Sequence, residues 1–225
     1  MRILNHPRVA HVGTMDREKK AEGSQEGAGL SVSIHPVAWM RIWSLGDSGF
    51  ILEGPGRFID AMSLTAHEKS RIIGWGLDSG LLEESMVYAV KYFDDELERD
   101  VEFEMPTLEA AEAEVEEYSD ATVAPRQSTT ATVKLAELSN HDPRRRGPQY
   151  IPTDFQFDLV LTLYAESECA DIDGVWWRER LDPERHQAPR GVILPSRLRQ
   201  WEATPADFAT LCDLQNGASA AKLRR

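Results

Sequence analysis

The chain has 225 residues, 41% of them hydrophobic and 28% charged, with a formal net charge of −13. That composition suits a globular protein able to bury a core, and no run of about 18 apolar residues offers a membrane-crossing helix. The opening "MRILNHPRVAHVG" lacks the apolar middle of a signal peptide, so a cytoplasmic location is expected. Cys169 and Cys212 lie far apart, and no two of the six histidines share the i, i+4 spacing of paired ligands on a helix. Neither a disulfide framework nor a metal site is expected.

In chain order, "RVAHVG" at 8–13 is short, β-rich and ended by glycine, which predicts a strand. "AEGSQEGAG" has loop chemistry, and "LSVSI" alternates Leu30, Val32 and Ile34 with Ser31 and Ser33, a second strand with its serines turned away from the core. Pro36 suits the first turn of a helix running to about Leu45. "GDSGFILEGPGRFIDA" reads as two strands around a Gly-Pro-Gly turn, a hairpin signal. Ser63 or Thr65 caps a helix to about Ile73 that breaks at Gly74 and Gly76. "SMVYAVKYF" and "ERDVEFEM" are strands, the second with Val101, Phe103 and Met105 on one face and Glu102 and Glu104 on the other. A helix then starts at Pro106-Thr107, with Leu108, Ala111, Val115 and Tyr118 on its apolar stripe.

Residues 119–134 supply a further strand after Pro125, and "NHDPRRRGPQYIP" reads as an exposed basic loop. "DFQFDLVLTLY" reads as the strongest strand of the chain, and "DGVWW" as another after a turn at 171–174. "LDPERHQAPRG" is loop, "VILPSRLRQWEAT" a strand ending in a short helical segment. "TPADFATLC" opens a last helix with Thr204 as cap and Pro205 in its first turn, and "NGASAAKLRR" is expected to fray.

The negative charge is local. Between Asp94 and Asp120, thirteen acidic side chains stand against one basic residue, Arg99. Phosphate contacts need cations, so direct nucleic-acid binding through this face is disfavoured. An acidic surface of this kind keeps the chain soluble, meets a basic protein partner, or mimics the phosphate spacing of a nucleic acid. The segment is expected to form an exposed lobe.

Phosphate-binding loops, dinucleotide glycine fingerprints, nucleophile elbows and zincin helices are missing from the sequence. What remains is "AHVGT", then "GLSVSIHPVAW", then a late strand that begins with an acid in "DIDGVWW". This order resembles the ADP-ribosyltransferase family, in which a first strand carries His or Arg beside Gly and Thr. A Ser or Tyr strand follows before a helix, and a late acidic residue completes the NAD site. Here Val12 stands between His11 and Gly13, where that pattern has glycine directly after the histidine.

The resemblance implies that His11, with Gly13 and Thr14, holds the adenosine-side ribose and the nicotinamide amide, and that Ser31 or Ser33 bonds the nicotinamide ribose. A carboxylate would stabilise the oxocarbenium-like state formed as nicotinamide leaves. Asp173 is the first candidate and Glu166 the second. Trp176 or Trp177 would stack on the nicotinamide ring, with one of the pair in the core, and Arg190 would reach the pyrophosphate.

The fold expected is α+β, with one or more curved, mostly antiparallel sheets flanked by helices, in a single domain carrying the acidic segment 94–120 as an insertion. Two functions follow. One is a toxin-like or modifying ADP-ribosyltransferase of bacterial or phage type, using NAD on a macromolecule or nucleotide. The other is a non-enzymatic partner-binding or inhibitor protein that acts through residues 94–120.

Overall fold

The structure is a computed structural model, and it describes residues 1–13, 15, 29–43, 46–95, 98–116, 120–138, 153–177 and 189–222. Its fold is α+β, with two antiparallel sheets and one mixed sheet, all open and flanked by helices. The chain divides into two compact units. Unit 1 is Met1–Trp75 with Phe157–Arg225, and unit 2 is Gly76–Gln156.

Unit 1 contains β1 (Ile3–Asn5), β2 (Arg8–Val12), β3 (Leu30–Val32), α1 (Pro36–Trp43), β4 (Gly49–Glu53), β5 (Arg57–Asp60) and most of α2 (Ala66–Asp78), whose last three residues fall in unit 2. Unit 2 follows with β6 (Leu82–Asp94), β7 (Arg99–Met105), α3 (Leu108–Val115), β8 (Thr122–Ala131) and α4 (Val133–Leu138). The chain returns to unit 1 through α5 (Thr153–Glu168), β9 (Gly174–Trp177), β10 (Arg190–Ile193), β11 (Glu202–Ala206) and α6 (Phe208–Lys222).

Unit 1 is layered. Its five-stranded sheet has the order β1-β5-β9-β10-β3, antiparallel except for the β5–β9 pair, and its three-stranded sheet has the order β11-β4-β2. Alternation sorts the side chains. Val9, Leu52 and Trp201 meet Leu4, Val32, Phe58, Trp176 and Ile193 between the two sheets. The neighbouring Ala10, Ile51 and Ala206 turn the other way, onto Val37 and Met40 of α1 and Leu211 of α6. Glycine makes the inter-sheet layer possible at two points. A Cβ at Gly54 would come within 2.5 Å of the Trp201 ring, and one at Gly191 would collide with the Trp176 ring.

Unit 2 is a three-stranded antiparallel sheet with β6 in the middle, in the order β7-β6-β8. Tyr88, Val90 and Tyr92 share a face with Val101, Phe103 and Met105, and α3 packs against all three strands. Helix α3 has a real cap: the Thr107 side chain accepts from Ala110 N at 3.2 Å. The other sheet face carries the buried Val87 together with Ala89, Lys91, Phe93, Asp100, Glu102, Glu104, Ala124 and Arg126.

Several expectations are corrected. "DFQFDLVLTLY" is not a strand but the middle of α5, with Leu159, Val160, Leu161, Tyr164 and Ala165 all buried. A helix with so many covered positions loses its amphipathic period and reads as an apolar run. Thr162 settles its hydroxyl inside the helix by donating to Leu159 O at 2.8 Å. The Gly-Pro-Gly hairpin does not form, because β4 and β5 belong to different sheets. The turn instead bonds the first strands: Gly54 N donates to Pro7 O and His6 N to Gly56 O.

Helix α2 runs through Gly74 and Gly76 to Asp78, and it begins with a capping box in which Thr65 and Glu68 bond reciprocally. The last helix is capped by Asp207, whose carboxylate accepts from Thr210 N at 2.9 Å, while Thr204 and Pro205 lie in β11. That helix continues to Lys222, past the point at which fraying is expected. Strand β8 spans Pro125 instead of starting after it.

Candidate functional site

The residues suggested for NAD divide into two groups. His11 on β2 is half-buried and its Nδ1 donates to Ser31 O at 2.8 Å, which fixes the ring against β3. Ala10 and Ser33 exchange main-chain bonds at 2.8 and 2.9 Å. Ser33 is 2% exposed, donates its hydroxyl to Pro189 O at 2.6 Å and accepts from His35 N at 2.8 Å, so it fastens β10 to the start of α1. Arg190 opens β10 with its guanidinium 5.7 Å from the centre of the Trp39 ring. Gly13 has φ +97, a conformation that favours glycine, and its N–H extends the β2–β4 ladder to Ser48 O. His11, Ser31, Ser33 and Arg190 therefore gather at one end of the β3–β10 pair. Thr14 lies outside the described residues.

Asp173 sits elsewhere. Arg190 faces Trp177 and Ile193 faces Gly174, so Asp173 lies beyond the opposite end of β9, four residues or about 13 Å along the strand from Trp177. It is 3% exposed, and its carboxylate accepts from Arg57 N at 2.7 Å while its own amide bonds Arg57 O. Glu166, on α5, accepts from Ser196 N at 3.1 Å. Both tryptophans are buried, Trp176 against Phe58 between the sheets and Trp177 on the opposite face of the strand. The expectation that one of them is a surface platform is corrected: every position of β9 is covered.

The acidic residues of unit 2 also divide. On the sheet face away from α3, Asp100, Glu102 and Glu104 are matched by cations. Lys91 Nζ is 3.5 Å from Asp100, and Arg126 reaches from β8 over the small Ala89 to bond both Glu102 and Glu104 at 2.6 Å. Glu104 first and Glu102 second hold the Arg126 proton more tightly than usual. Ser128 adds a bond to Glu104 at 2.9 Å. These pairs are cross-strand partners that the linear acidic count conceals, and only the register of β6 with both neighbours reveals them.

At one end of unit 2 the acids are not matched. The β6–β7 turn lies beyond the Asp94–Arg99 pair, and β8 begins opposite Lys91 at that same end. Helix α3 starts after Met105, which faces Tyr88, and its eight residues span about 12 Å. That matches the roughly 10 Å from Tyr88 to Lys91 along β6, so the C-terminus of α3 arrives at the turn end.

Asp95, Glu98, Glu116 and Asp120 are exposed there and Glu114 is half-buried. Glu114 and the cap residue Glu116 place negative charge on the negative end of the helix dipole, with no basic residue in the last turn. Among the described residues, none of these five carboxylates has an ion-pair partner, and no acidic or histidine group has metal-binding geometry.

Compared with protein-family models, curated proteins and solved structures, the chain matches none. No helix among the described residues is long and apolar enough to cross a membrane.

Proposed function

We propose that the protein is a partner-binding protein, and that the acidic end of unit 2 docks a basic protein surface. The observation that carries this reading is the convergence of the β6–β7 turn and the α3 C-terminus, which crowds unmatched carboxylates where they oppose the helix dipole. Glu114 and Glu116 each cost the helix about 0.3–1 kcal/mol, a cost that an incoming cation would relieve. The distribution of charge supports it. Residues 76–156 hold nineteen acidic and seven basic residues, a net −12, which leaves −1 for unit 1.

NAD transfer is the weaker reading. His11 and Ser33 are engaged in holding strands together, and the two candidate acids bond main-chain amides away from them.

The test is binding of an oligolysine peptide, measured by calorimetry on the whole chain across a salt series. Binding should weaken steeply as the Debye length falls from about 10 Å at 0.1 M salt to about 3 Å at 1 M. Glu98→Lys with Glu116→Lys should abolish it, whereas Asp47→Lys with Glu202→Lys, equal in net charge and placed in unit 1, should leave most of it. Equal losses from the two pairs would reduce the effect to overall charge and refute a defined docking end.

A further inference from the structure

The two edges of the unit 2 sheet are unlike. Strand β8 carries Pro125 in its middle, which lacks an N–H and interrupts any strand added there. Strand β7 has no proline, and its pairing with β6 is continuous from Arg99 to Met105, without a bulge. Among the described residues its outer side pairs with no other strand. An uninterrupted edge is a template for another strand unless something guards it.

The guard on β7 is its own charge. Asp100, Glu102 and Glu104 project from one face at every second residue, so an in-phase antiparallel pairing of two copies would set carboxylates against carboxylates. The same ladder favours a strand with basic residues at those positions. On the other face, Val101, Phe103 and Met105 are only half-buried although α3 packs on that side. An apolar side chain on an added strand would cover their exposed flank. The ion pairs to Lys91 and Arg126 do not close the site. Glu102 and Asp100 are 43% and 65% exposed, and pairs so open to water contribute little and exchange partners readily, whereas Glu104, 20% exposed and bonded by both Arg126 and Ser128, keeps its own partners.

We infer that β7 accepts an extended peptide in which basic and apolar residues alternate, added as a fourth strand with its cations along Asp100 and Glu102. This rests on the reading of unit 2 as a docking unit for basic partners and specifies the form of the partner. Affinity would come from main-chain bonds to the outer edge of β7, and selectivity from the alternation.

The experiment uses the whole chain and a peptide alternating lysine and valine over the length of β7, followed by calorimetry and by amide exchange along β7. Two versions carry N-methyl groups on alternate residues, one in each phase, so that only one blocks the amides facing β7. The expected result is that one phase weakens binding by about tenfold or more while the other leaves it nearly unchanged, and that outward β7 amides gain protection. Equal binding by the parent and both methylated peptides would overturn strand addition while leaving electrostatic docking standing. Failure of both the alternating peptide and oligolysine to bind would overturn both readings.

Discussion

Replacing Ser33 by alanine separates a structural from a catalytic role for this residue. The hydroxyl is buried and makes two bonds, to Pro189 O at 2.6 Å and from His35 N at 2.8 Å, with both partner residues themselves buried. Alanine fits the space and leaves one carbonyl and one amide without their partner. A buried orphan costs about 1–3 kcal/mol, so the pair is expected to destabilise unit 1 by roughly 2–6 kcal/mol. With a urea m-value of about 2 kcal/mol/M, the midpoint should fall by about 1–3 M.

Tryptophan emission is the suitable probe, because all six tryptophans lie in unit 1 and report its unfolding whether or not unit 2 unfolds in the same transition. Ser167→Ala, at an exposed serine whose hydroxyl bonds the adjacent Glu168, should change stability by no more than about 0.5 kcal/mol. A Ser33→Ala protein as stable as the wild type would refute the reasoning and return the hydroxyl to the list of available nucleophiles or ligand contacts.

Three further outcomes are expected. Glu116→Lys should raise the stability of unit 2 by about 0.3–1 kcal/mol at low salt, since it reverses an unfavourable charge at the end of α3; a loss followed by circular dichroism would show that the carboxylate supports the fold. The Glu68 carboxyl, held by the Met1 amino group and then by the Thr65 amide and hydroxyl, has its pKa lowered from 4.5 to about 2. Because the folded pKa is the lower one, its contribution is present above the ordinary value and is lost as pH falls from there towards 2. An NMR titration should find that low midpoint and its partial return in Thr65→Ala. Calorimetry with NAD at millimolar concentration should show no saturable heat that His11→Ala removes, and such a heat would restore the transferase reading.

Much of the fold is legible where local chemistry decides it. Period-two alternation places β3 and β7, Thr107 caps α3, and Pro36 opens α1, because each signal is satisfied within a few residues of chain. Legibility fails where partners are remote. Nothing local distinguishes "DFQFDLVLTLY" as a helix, because its surroundings cover nearly every side. Ser33 alternates outward from Val32 and so looks solvated, yet it is buried by Pro189, 156 residues away. Trp176 and Trp177 face opposite sides of β9, and both sides are interior in a layered unit. The acidic run was visible as a count, but its division into a neutralised sheet face and an unmatched end required the register of three strands.

The order β1-β5-β9-β10-β3 has a consequence for how the chain is made. The two strands at the centre of that sheet and its return to β3 come from residues 174–193, after the whole of unit 2, while β1, β5 and β3 precede it. The three-stranded sheet likewise waits for β11. During synthesis unit 2, whose contacts are all nearer in sequence, has its complete set of strands while unit 1 still exposes two unfinished sheets. Closing loops of such length adds only modest entropy but slows the search. Unit 1 therefore matures last although it contains the first residue, and a chain ended before β9 would keep unit 2 while leaving the larger core open.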